Sequence, residues 1–244
     1  MQKKRNVLVT GSSGFIGSNL LIHLNNLKND FKVNLLKYNS SKKKIDEKTK
    51  NIDIIFHLAG VNRAKNLKDF DNNFEFINKI CNSLVKNGSK SIIIFASTFL
   101  IDNKNKISSK MHQRYISSKI QAEKILKKYN SETGNNIYIY RLPHIMGKWA
   151  KPNYNSVIAT FCYNIANDKK TNLLNSNNKL FIVQIDDVIK SFLKILNGKI
   201  KTDLVYLKNK SITVKKLYDK ILEIDKSINE NLTSPLYSSF DKHL

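Results

Sequence analysis

Tyr115 and Lys119, four residues apart, have the side-chain types and spacing most suggestive of chemistry in this sequence. Residues four apart lie on one face of a helix, one turn from each other. The phenol of tyrosine has an ordinary pKa of about 10, and a neighbouring ammonium group favours its deprotonated form. Lys119 is therefore expected to lower the pKa of Tyr115, which would make the phenol an acid–base catalyst near neutral pH. The spacing alone is common in any lysine-rich helix.

Two hydroxyl side chains stand at the end of a predicted strand shortly before this pair. The run SIIIFA, residues 91–96, predicts a buried strand, and Ser97 and Thr98 follow it directly. Residues that leave the carboxyl end of a strand in a parallel sheet face the place where a dinucleotide binds. A hydroxyl group there can bind a carbonyl or an alcohol of a substrate. We therefore expect Thr98, Tyr115 and Lys119 to form a catalytic group.

A glycine-rich turn near the start of the chain predicts a dinucleotide site. TGSSGFIG, residues 10–17, follows the apolar run NVLVT, residues 6–10, and leads into a predicted helix. Glycines in such a turn allow a tight bend, close approach of backbone N–H groups to a pyrophosphate, and close packing of helix on strand. The sequence predicts cofactor contacts along the whole turn, from Gly11, Ser12, Ser13, Gly14, Phe15, Ile16 and Gly17.

The residues after the second predicted strand bear on which dinucleotide is bound. The run KVNLL, residues 32–36, is followed by Lys37 and Tyr38, with no acidic residue at this point. An acidic residue here binds the ribose 2′-hydroxyl of NAD, whereas a cation accommodates the 2′-phosphate of NADP. Lys37 therefore favours NADP(H) over NAD(H). The alternative is that Lys37 is one more solvated surface lysine.

Short β-branched runs alternate with amphipathic helical patterns over the first 150 residues. Strands are predicted at 6–10, 32–36, 53–58, 91–96 and 136–141, and helices near 14–27, 69–87 and 112–129. Apolar strands separated by helices indicate a parallel sheet covered on both faces. We expect an α/β fold with a doubly wound parallel sheet of the Rossmann type.

After residue 150 this alternation is looser. Helices are predicted near 154–167, 186–197 and 213–225, with a strand at 179–184, and the segments 42–44 and 172–179 are expected to be polar loops. No Pro/Gly-rich linker divides the chain, so we expect one domain over residues 1–244. Within it, residues 1–150 are expected mainly to bind the dinucleotide, and residues 151–244 mainly to bind and cap the substrate.

The composition argues against a nucleic-acid or membrane protein. The formal net charge of +23 comes mostly from lysines spread along the whole chain, and arginine occurs at only four positions. A basic stripe with interleaved aromatic side chains would indicate nucleic-acid binding, and the sequence has none. No apolar run approaches the roughly 20 residues needed to cross a bilayer. We expect a cytoplasmic protein without membrane insertion or a nucleic-acid partner.

The cysteine and histidine positions do not predict a metal site. Cys81 and Cys162 lack a CxxC spacing and are expected to be reduced packing residues. The histidines show no metal-ligand spacing, at positions His23, His57, His112, His144 and His243. We expect no metal in this chain.

The motifs in this order resemble the extended short-chain dehydrogenase/reductase superfamily of nucleotide-sugar epimerases, dehydratases and reductases. TGSSGFIG is similar to its phosphate loop, HLAG (57–60) to its adenine-side motif, AST (96–98) to its Ser/Thr strand end and YISSK (115–119) to its Tyr-x-x-x-Lys pair. The resemblance covers nearly the whole chain. It implies that the tyrosine and the lysine also contact the cofactor, together with Leu58, Ala59, Gly60 and Pro143.

A narrower resemblance lies in HLAGVNR (57–63) and in YIYRLPHIMGKWAKPNYNSVIATFCYNIA (138–166). Both are similar to bacterial capsule and O-antigen enzymes that reduce a UDP-2-acetamido-2,6-dideoxy-4-hexulose. The resemblance implies an NADPH-dependent reductase of a UDP-4-keto-6-deoxy-N-acetylhexosamine, with the tyrosine protonating the alkoxide formed at C4. Substrate contacts are expected from Asn62, Arg63, Thr98, His144, Lys148, Asn153, Tyr154 and Asn155.

The sequence also departs from these relatives. His144 stands where they usually carry an asparagine that contacts the substrate, and histidine can still form that hydrogen bond. The relatives resemble two-part proteins with a metal-binding cupin domain after the reductase domain. We expect no cupin domain here, which leaves a separate cupin chain as a candidate partner. Related enzymes pair through the helix with the Tyr-x-x-x-Lys motif, so a homodimer is also expected.

Two other functions remain open from the sequence. One is an NAD(P)-dependent nucleotide-sugar epimerase or dehydratase, and the other is a catalytically idle NADP-binding partner subunit. A dehydratase would need a further acid–base pair beside Thr98, yet the acidic residue nearest to Thr98 in the sequence is Asp102. Retention of Thr98, Tyr115 and Lys119 together argues against an idle subunit.

Overall fold

The structure is a computed structural model that describes residues 4–173, 175–198 and 202–230. His243 and the chain after residue 230 therefore lie outside the described residues. The chain forms two compact units. The first contains the chain through Leu142 together with Ile189–Tyr206, and the second contains Pro143–Val188 and the chain from Leu207 onward.

A six-stranded parallel sheet forms the centre of the first unit, which confirms the expected α/β class with a Rossmann-like sheet. Its strands are β1 (Arg5–Thr10), β2 (Phe31–Leu36), β3 (Ile54–His57), β4 (Ile92–Thr98), β5 (Ile137–Leu142) and β8 (Leu204–Val205). They lie in the order β2-β1-β3-β4-β5-β8, and every neighbouring pair is parallel. The order reverses at β1, so the carboxyl ends of β1 and β3 flank a switch point where nucleotides bind in such folds.

The helices of this unit are α1 (Phe15–Asn26), α2 (Lys42–Lys48), α3 (Asn72–Lys86) and α4 (Lys110–Thr133), with short 3₁₀ helices at Leu67–Asp71 and Phe99–Lys106. The expectation of a loop at residues 42–44 was wrong, because these residues begin α2. The Ser41 hydroxyl accepts a hydrogen bond from the Lys44 N–H, which caps the helix. Ile45 is buried and anchors α2.

The strands are apolar on both faces because helices cover both faces of the sheet. On one face, side chains of β1, β3, β4 and β5 pack with apolar residues of α2, α3 and α4. On the other face, the fully buried Phe192 meets Tyr140 edge to face at 4.7 Å between ring centroids and lies 5.8 Å from Phe56. The Tyr140 hydroxyl also bonds the Ser191 hydroxyl at 2.9 Å.

The second unit contains a smaller sheet of β6 (His144–Met146), β7 (Lys179–Gln184) and β9 (Lys210–Thr213), in the order β6-β7-β9. Helices α5 (Val157–Ile165) and α7 (Val214–Asn229) belong to this unit, and Phe161 and Leu217 pack in its apolar core. Helix α6 (Ile185–Leu196) begins in this unit, and the chain then returns to the first. No helix of the described residues is long and apolar enough to span a membrane.

Replacing Phe192 with alanine should lower the free energy of unfolding by about 3–5 kcal/mol, because it removes a buried ring between Tyr140 and Phe56 and leaves a cavity. Urea denaturation followed by circular dichroism measures this change. The exposed Val85, replaced with alanine in the same way, should change stability by no more than about 0.5 kcal/mol. Equal losses in the two variants would contradict the assignment of Phe192 to the core.

Candidate active site

Two glycines of the turn after β1 occupy positions where no other residue fits. Gly11 has a φ of +69°, and a Cβ on it would lie 2.5 Å from the Ala59 backbone nitrogen. A Cβ on Gly17 would lie 2.2 Å from the Gly11 carbonyl oxygen. Both distances are far inside van der Waals contact, so these glycines let the turn cross the end of β3 and let α1 pack against the turn.

The amino end of α1 is open to a ligand. Gly14 precedes the helix, and no side chain caps it. The first turn contains no acidic residue, so its N–H groups and the positive end of the helix dipole are suited to a phosphate. Ser12, Ser13, Phe15 and Ile16 surround this point in the chain, and all are partly or fully exposed. The turn therefore fits a dinucleotide pyrophosphate.

The segment after β3 is fastened to the end of β1. The Thr10 hydroxyl lies 3.1 Å from His57 Nδ1 and accepts a hydrogen bond from the Ala59 N–H, while the Leu58 N–H donates to the Thr10 carbonyl. Burial lowers the pKa of His57 to about 3, and the Lys119 charge acts in the same direction. His57 is therefore a neutral structural residue that holds the Leu58–Gly60 segment beside the glycine turn.

Tyr115 lies beside Thr98, and its ring lies 5.9 Å from the Phe70 ring, centroid to centroid. Burial raises the pKa of Tyr115 to about 12, and the neighbouring Thr98 hydroxyl opposes this only in part. The expectation of a lowered phenol pKa was therefore wrong in this structure, because desolvation of the phenolate outweighs its stabilisation.

Lys119 is buried, with only 5% of its surface exposed. Its Nζ donates a hydrogen bond to the Ala96 carbonyl at 2.8 Å and lies 4.7 Å from the centroid of the Phe95 ring. Burial lowers its pKa to about 8, while the nearby Glu123 carboxylate raises it. A Cβ on Gly60 would come within 3.1 Å of Nζ, so Gly60 leaves space for the lysine.

Sequence reasoning missed Asn73 of α3, a buried residue that joins α4 to the loop after β3. Its amide oxygen accepts a hydrogen bond from the Val61 N–H at 2.6 Å, and its amide nitrogen donates to the Val61 carbonyl at 2.9 Å. The same nitrogen donates to the Ser118 hydroxyl, which donates in turn to the Tyr115 carbonyl. An asparagine on the apolar face of α3 was the signal that could have identified it.

Asp102, the acidic residue closest in sequence to Thr98, is held in an ion pair. It accepts hydrogen bonds from Arg141 Nη1 at 2.5 Å and from the Tyr206 hydroxyl at 3.2 Å. Arg141 also bonds Tyr206 at 3.2 Å. Both contacts are made to the Oδ1 oxygen of Asp102.

The other predicted contacts of the first unit lie near the same edge of the sheet. Lys37 is exposed directly after β2, and Arg63 is exposed in the loop after β3. The side-chain oxygen of Asn62 is buried without a hydrogen-bond partner. A buried amide oxygen in this state is available to a ligand donor.

The remaining candidates belong to the second unit. Pro143 is partly buried, whereas the others are exposed, namely His144, Lys148, Asn153, Tyr154 and Asn155. His144 lies in β6, paired with Ile182 of β7. Lys148 lines a cavity of about 600 Å³ whose other walls come from α5 and from the chain around Gln184.

The chain belongs to the NAD dependent epimerase/dehydratase family, whose model matches residues 7–205. A nicotinamide dinucleotide is therefore the class of cofactor of this chain. The match includes the glycine turn, Thr98, Tyr115 and Lys119.

One relative is the UDP-2-acetamido-2,6-beta-L-arabino-hexul-4-ose reductase of Pseudomonas aeruginosa, 34% identical over 245 residues. The alignment covers 96% of this chain and 63% of the relative. The capsular polysaccharide assembling protein CapF of Staphylococcus aureus is 28% identical, with a TM-score of 0.80, over 98% of this chain and 62% of CapF. This chain thus spans less than two thirds of the length of either protein.

A more distant structure shares the fold. The UDP-N-acetylglucosamine 4-epimerase of Bacillus cereus is 20% identical with a TM-score of 0.72, over 90% of this chain and 81% of the epimerase. At this identity the similarity concerns the fold alone.

Replacing Gly17 with alanine should abolish dinucleotide binding and lower the melting temperature, because the new Cβ would overlap the Gly11 carbonyl oxygen. Thermal denaturation with and without NADPH measures both effects. Gly14→Ala is the matched control, since its Cβ would meet the same oxygen at 3.2 Å and its φ is −82°. Its melting temperature without the dinucleotide should fall much less. A Gly17→Ala protein with the wild-type melting temperature would contradict the close contact.

Proposed function

We propose that this protein is an NADPH-dependent reductase of a UDP-4-keto-6-deoxy-N-acetylhexosamine, converting the C4 carbonyl to an alcohol for surface polysaccharide synthesis. The observation that carries the proposal is the placement of the Thr98 hydroxyl beside Tyr115, one helical turn from the buried Lys119. The name of the Pseudomonas aeruginosa relative supports the choice of substrate. NADPH would supply the hydride.

Residues of this chain would bind the keto group of the substrate and supply the proton that it receives. The Thr98 hydroxyl orients the keto oxygen, and Tyr115 donates a proton to the oxygen that becomes the alcohol. A pKa of about 12 keeps the phenol protonated at neutral pH, so Tyr115 carries the proton that it donates. The ammonium group of Lys119 stabilises the phenolate left behind, because an opposite charge offsets the cost of burying it.

Reduction is favoured over dehydration by the position of Asp102. A 4,6-dehydratase needs a further acid–base group at the sugar, and Asp102 is instead paired with Arg141 and Tyr206. An epimerase or an idle NADP-binding partner subunit remains the alternative. Net consumption of the reduced dinucleotide separates the reductase from both.

The choice of NADPH rests on Lys37. This exposed lysine follows the carboxyl end of β2, and residues 37–45 contain no acidic side chain that would bind a ribose 2′-hydroxyl. The ammonium group would instead pair with the 2′-phosphate.

The remaining contacts belong to the same proposal. Asn62 and Arg63 would bind the diphosphate or the sugar, and the second unit would contribute His144, Lys148, Asn153, Tyr154 and Asn155 to the substrate. Pro143 and the segment Leu58–Gly60 would contact the dinucleotide. A homodimer, a cytoplasmic location and a separate cupin partner stay predictions of the sequence.

Tyr115→Phe should reduce kcat by about 10²–10⁴-fold, because it removes the proton donor while keeping the ring. The measurement is loss of absorbance at the reduced-nicotinamide band when protein, NADPH and the UDP-4-keto-6-deoxy sugar are mixed. Tyr129→Phe is the matched control near the other end of the same helix, since the Tyr129 hydroxyl accepts a hydrogen bond from the Asn135 side chain and its loss should leave kcat at the wild-type value. Full activity in Tyr115→Phe would exclude this proton donor.

Lys37→Ala should raise KM for NADPH by about tenfold, because a charge-assisted hydrogen bond to the 2′-phosphate is lost. KM for NADH should stay the same. Lys32→Ala, near the start of β2, should change neither value. If wild-type protein uses NADH as well as NADPH, the assignment of Lys37 is wrong.

A further inference from the structure

Glu123 is a buried carboxylate one helical turn beyond Lys119 on α4. Only 4% of its surface is exposed. It accepts three hydrogen bonds, from the Ser97 hydroxyl at 2.5 Å, from Arg141 Nε at 3.2 Å and from Arg141 Nη2 at 2.7 Å. A carboxylate at this depth is costly unless it is paired and hydrogen-bonded, and these partners satisfy it.

The hydrogen-bond partners of Glu123 lie near the carboxyl ends of β4 and β5. Ser97 of β4 and Arg141 of β5 are direct neighbours in the sheet register, and Thr98 follows Ser97. Glu123 therefore joins α4 to the adjacent strands β4 and β5, next to Thr98. Through Arg141 the contact continues to Asp102, which lies in the 3₁₀ segment directly after Thr98.

The charge of Glu123 also acts on the catalytic lysine. The Glu123 carboxylate raises the pKa of Lys119 against the effect of burial, which lowers it to about 8. The other titratable groups near Lys119 are His57 at the end of β3 and Tyr115 on its own helix. Both are neutral near pH 8, because burial lowers the pKa of His57 to about 3 and raises that of Tyr115 to about 12.

We propose that Glu123 is a positioning residue for the Tyr115–Lys119 pair, which holds α4 against the Ser97–Thr98 strand end and supplies the negative charge that offsets the buried ammonium group. The inference deepens the proposed function and rests on it for its kinetic part. The hydrogen bonds of Glu123 go to Ser97 and Arg141, so it acts on the pair through Ser97 and Lys119. Arg141 limits how much of its charge reaches Lys119, since the guanidinium group is bonded to the same carboxylate.

The electrostatic part can be tested without any substrate. Lysine labelled with ¹³C at Cε reports the ionisation of each ammonium group by NMR, and the Lys119 signal is identified by its loss in Lys119→Met. In the full-length wild-type chain this signal should titrate near pH 8, apart from the surface lysines. In Glu123→Gln the midpoint should fall by about one pH unit, because removal of a nearby negative charge favours the neutral amine.

The positioning part is tested by kinetics. Glu123→Gln should lower kcat by about tenfold at pH 8, with KM for NADPH within about twofold of wild type. Ser97→Ala keeps the charge of Glu123 and removes one of its hydrogen bonds. It should leave the Lys119 midpoint in place and lower kcat, which separates geometry from charge even where Glu123→Gln does not fold.

Glu132→Gln is the matched control on the same helix, since Glu132 is exposed and pairs with the exposed Lys128 at 3.7 Å. It should change neither the midpoint nor kcat. A folded Glu123→Gln protein with an unchanged Lys119 midpoint would overturn the electrostatic role, and an unchanged kcat in Ser97→Ala would overturn the positioning role. Wild-type protein that does not oxidise NADPH would instead refute the proposed function, while the NMR titration would still decide the charge of Glu123.

Discussion

The buried ammonium group of Lys119 constrains the arrangement around it. A charge removed from water is strongly unfavourable unless dipoles and counter-charges replace the solvent. Here the Ala96 carbonyl accepts its hydrogen bond, the Phe95 ring lies under it and Glu123 opposes the loss of its proton. Strand β4 must therefore end beside the helix that carries the lysine, and this places Thr98 next to Tyr115.

Fixing that helix requires contacts on two sides. On the side of the loop after β3, Asn73 joins the Val61 backbone to Ser118. Towards the later strands, Glu123 joins α4 to β4 and β5. A buried polar group that keeps all its partners defines one geometry, because any other arrangement leaves donors or acceptors unpaired. The helix turn that carries Tyr115 and Lys119 is thereby held from both sides.

The glycine turn obeys a separate, steric constraint. Gly11 crosses the backbone at Leu58 and Ala59 so closely that any side chain would collide, and Gly17 packs on Gly11 in the same way. The spacing of glycines after a strand was therefore sufficient to predict the turn. The spacing could not show that Thr10 and His57 hold the neighbouring loop, since that contact joins residues 47 positions apart.

From the sequence alone, the parallel α/β sheet was predictable, because apolar strand runs, helical periodicity and short motifs are local signals, and the same signals made Thr98, Tyr115 and Lys119 the candidates for catalysis. The lysines at 42–44 misled, because a charged run is equally typical of a loop and of an exposed helix turn, and Ser41 caps α2. Only the tertiary structure decided the state of the site. The pKa of Tyr115 depends on how deeply the phenol is buried, and the roles of Asn73, Glu123 and Arg141 depend on partners distant in sequence. Burial and long-range pairing are properties of the folded chain, so local pattern does not contain them.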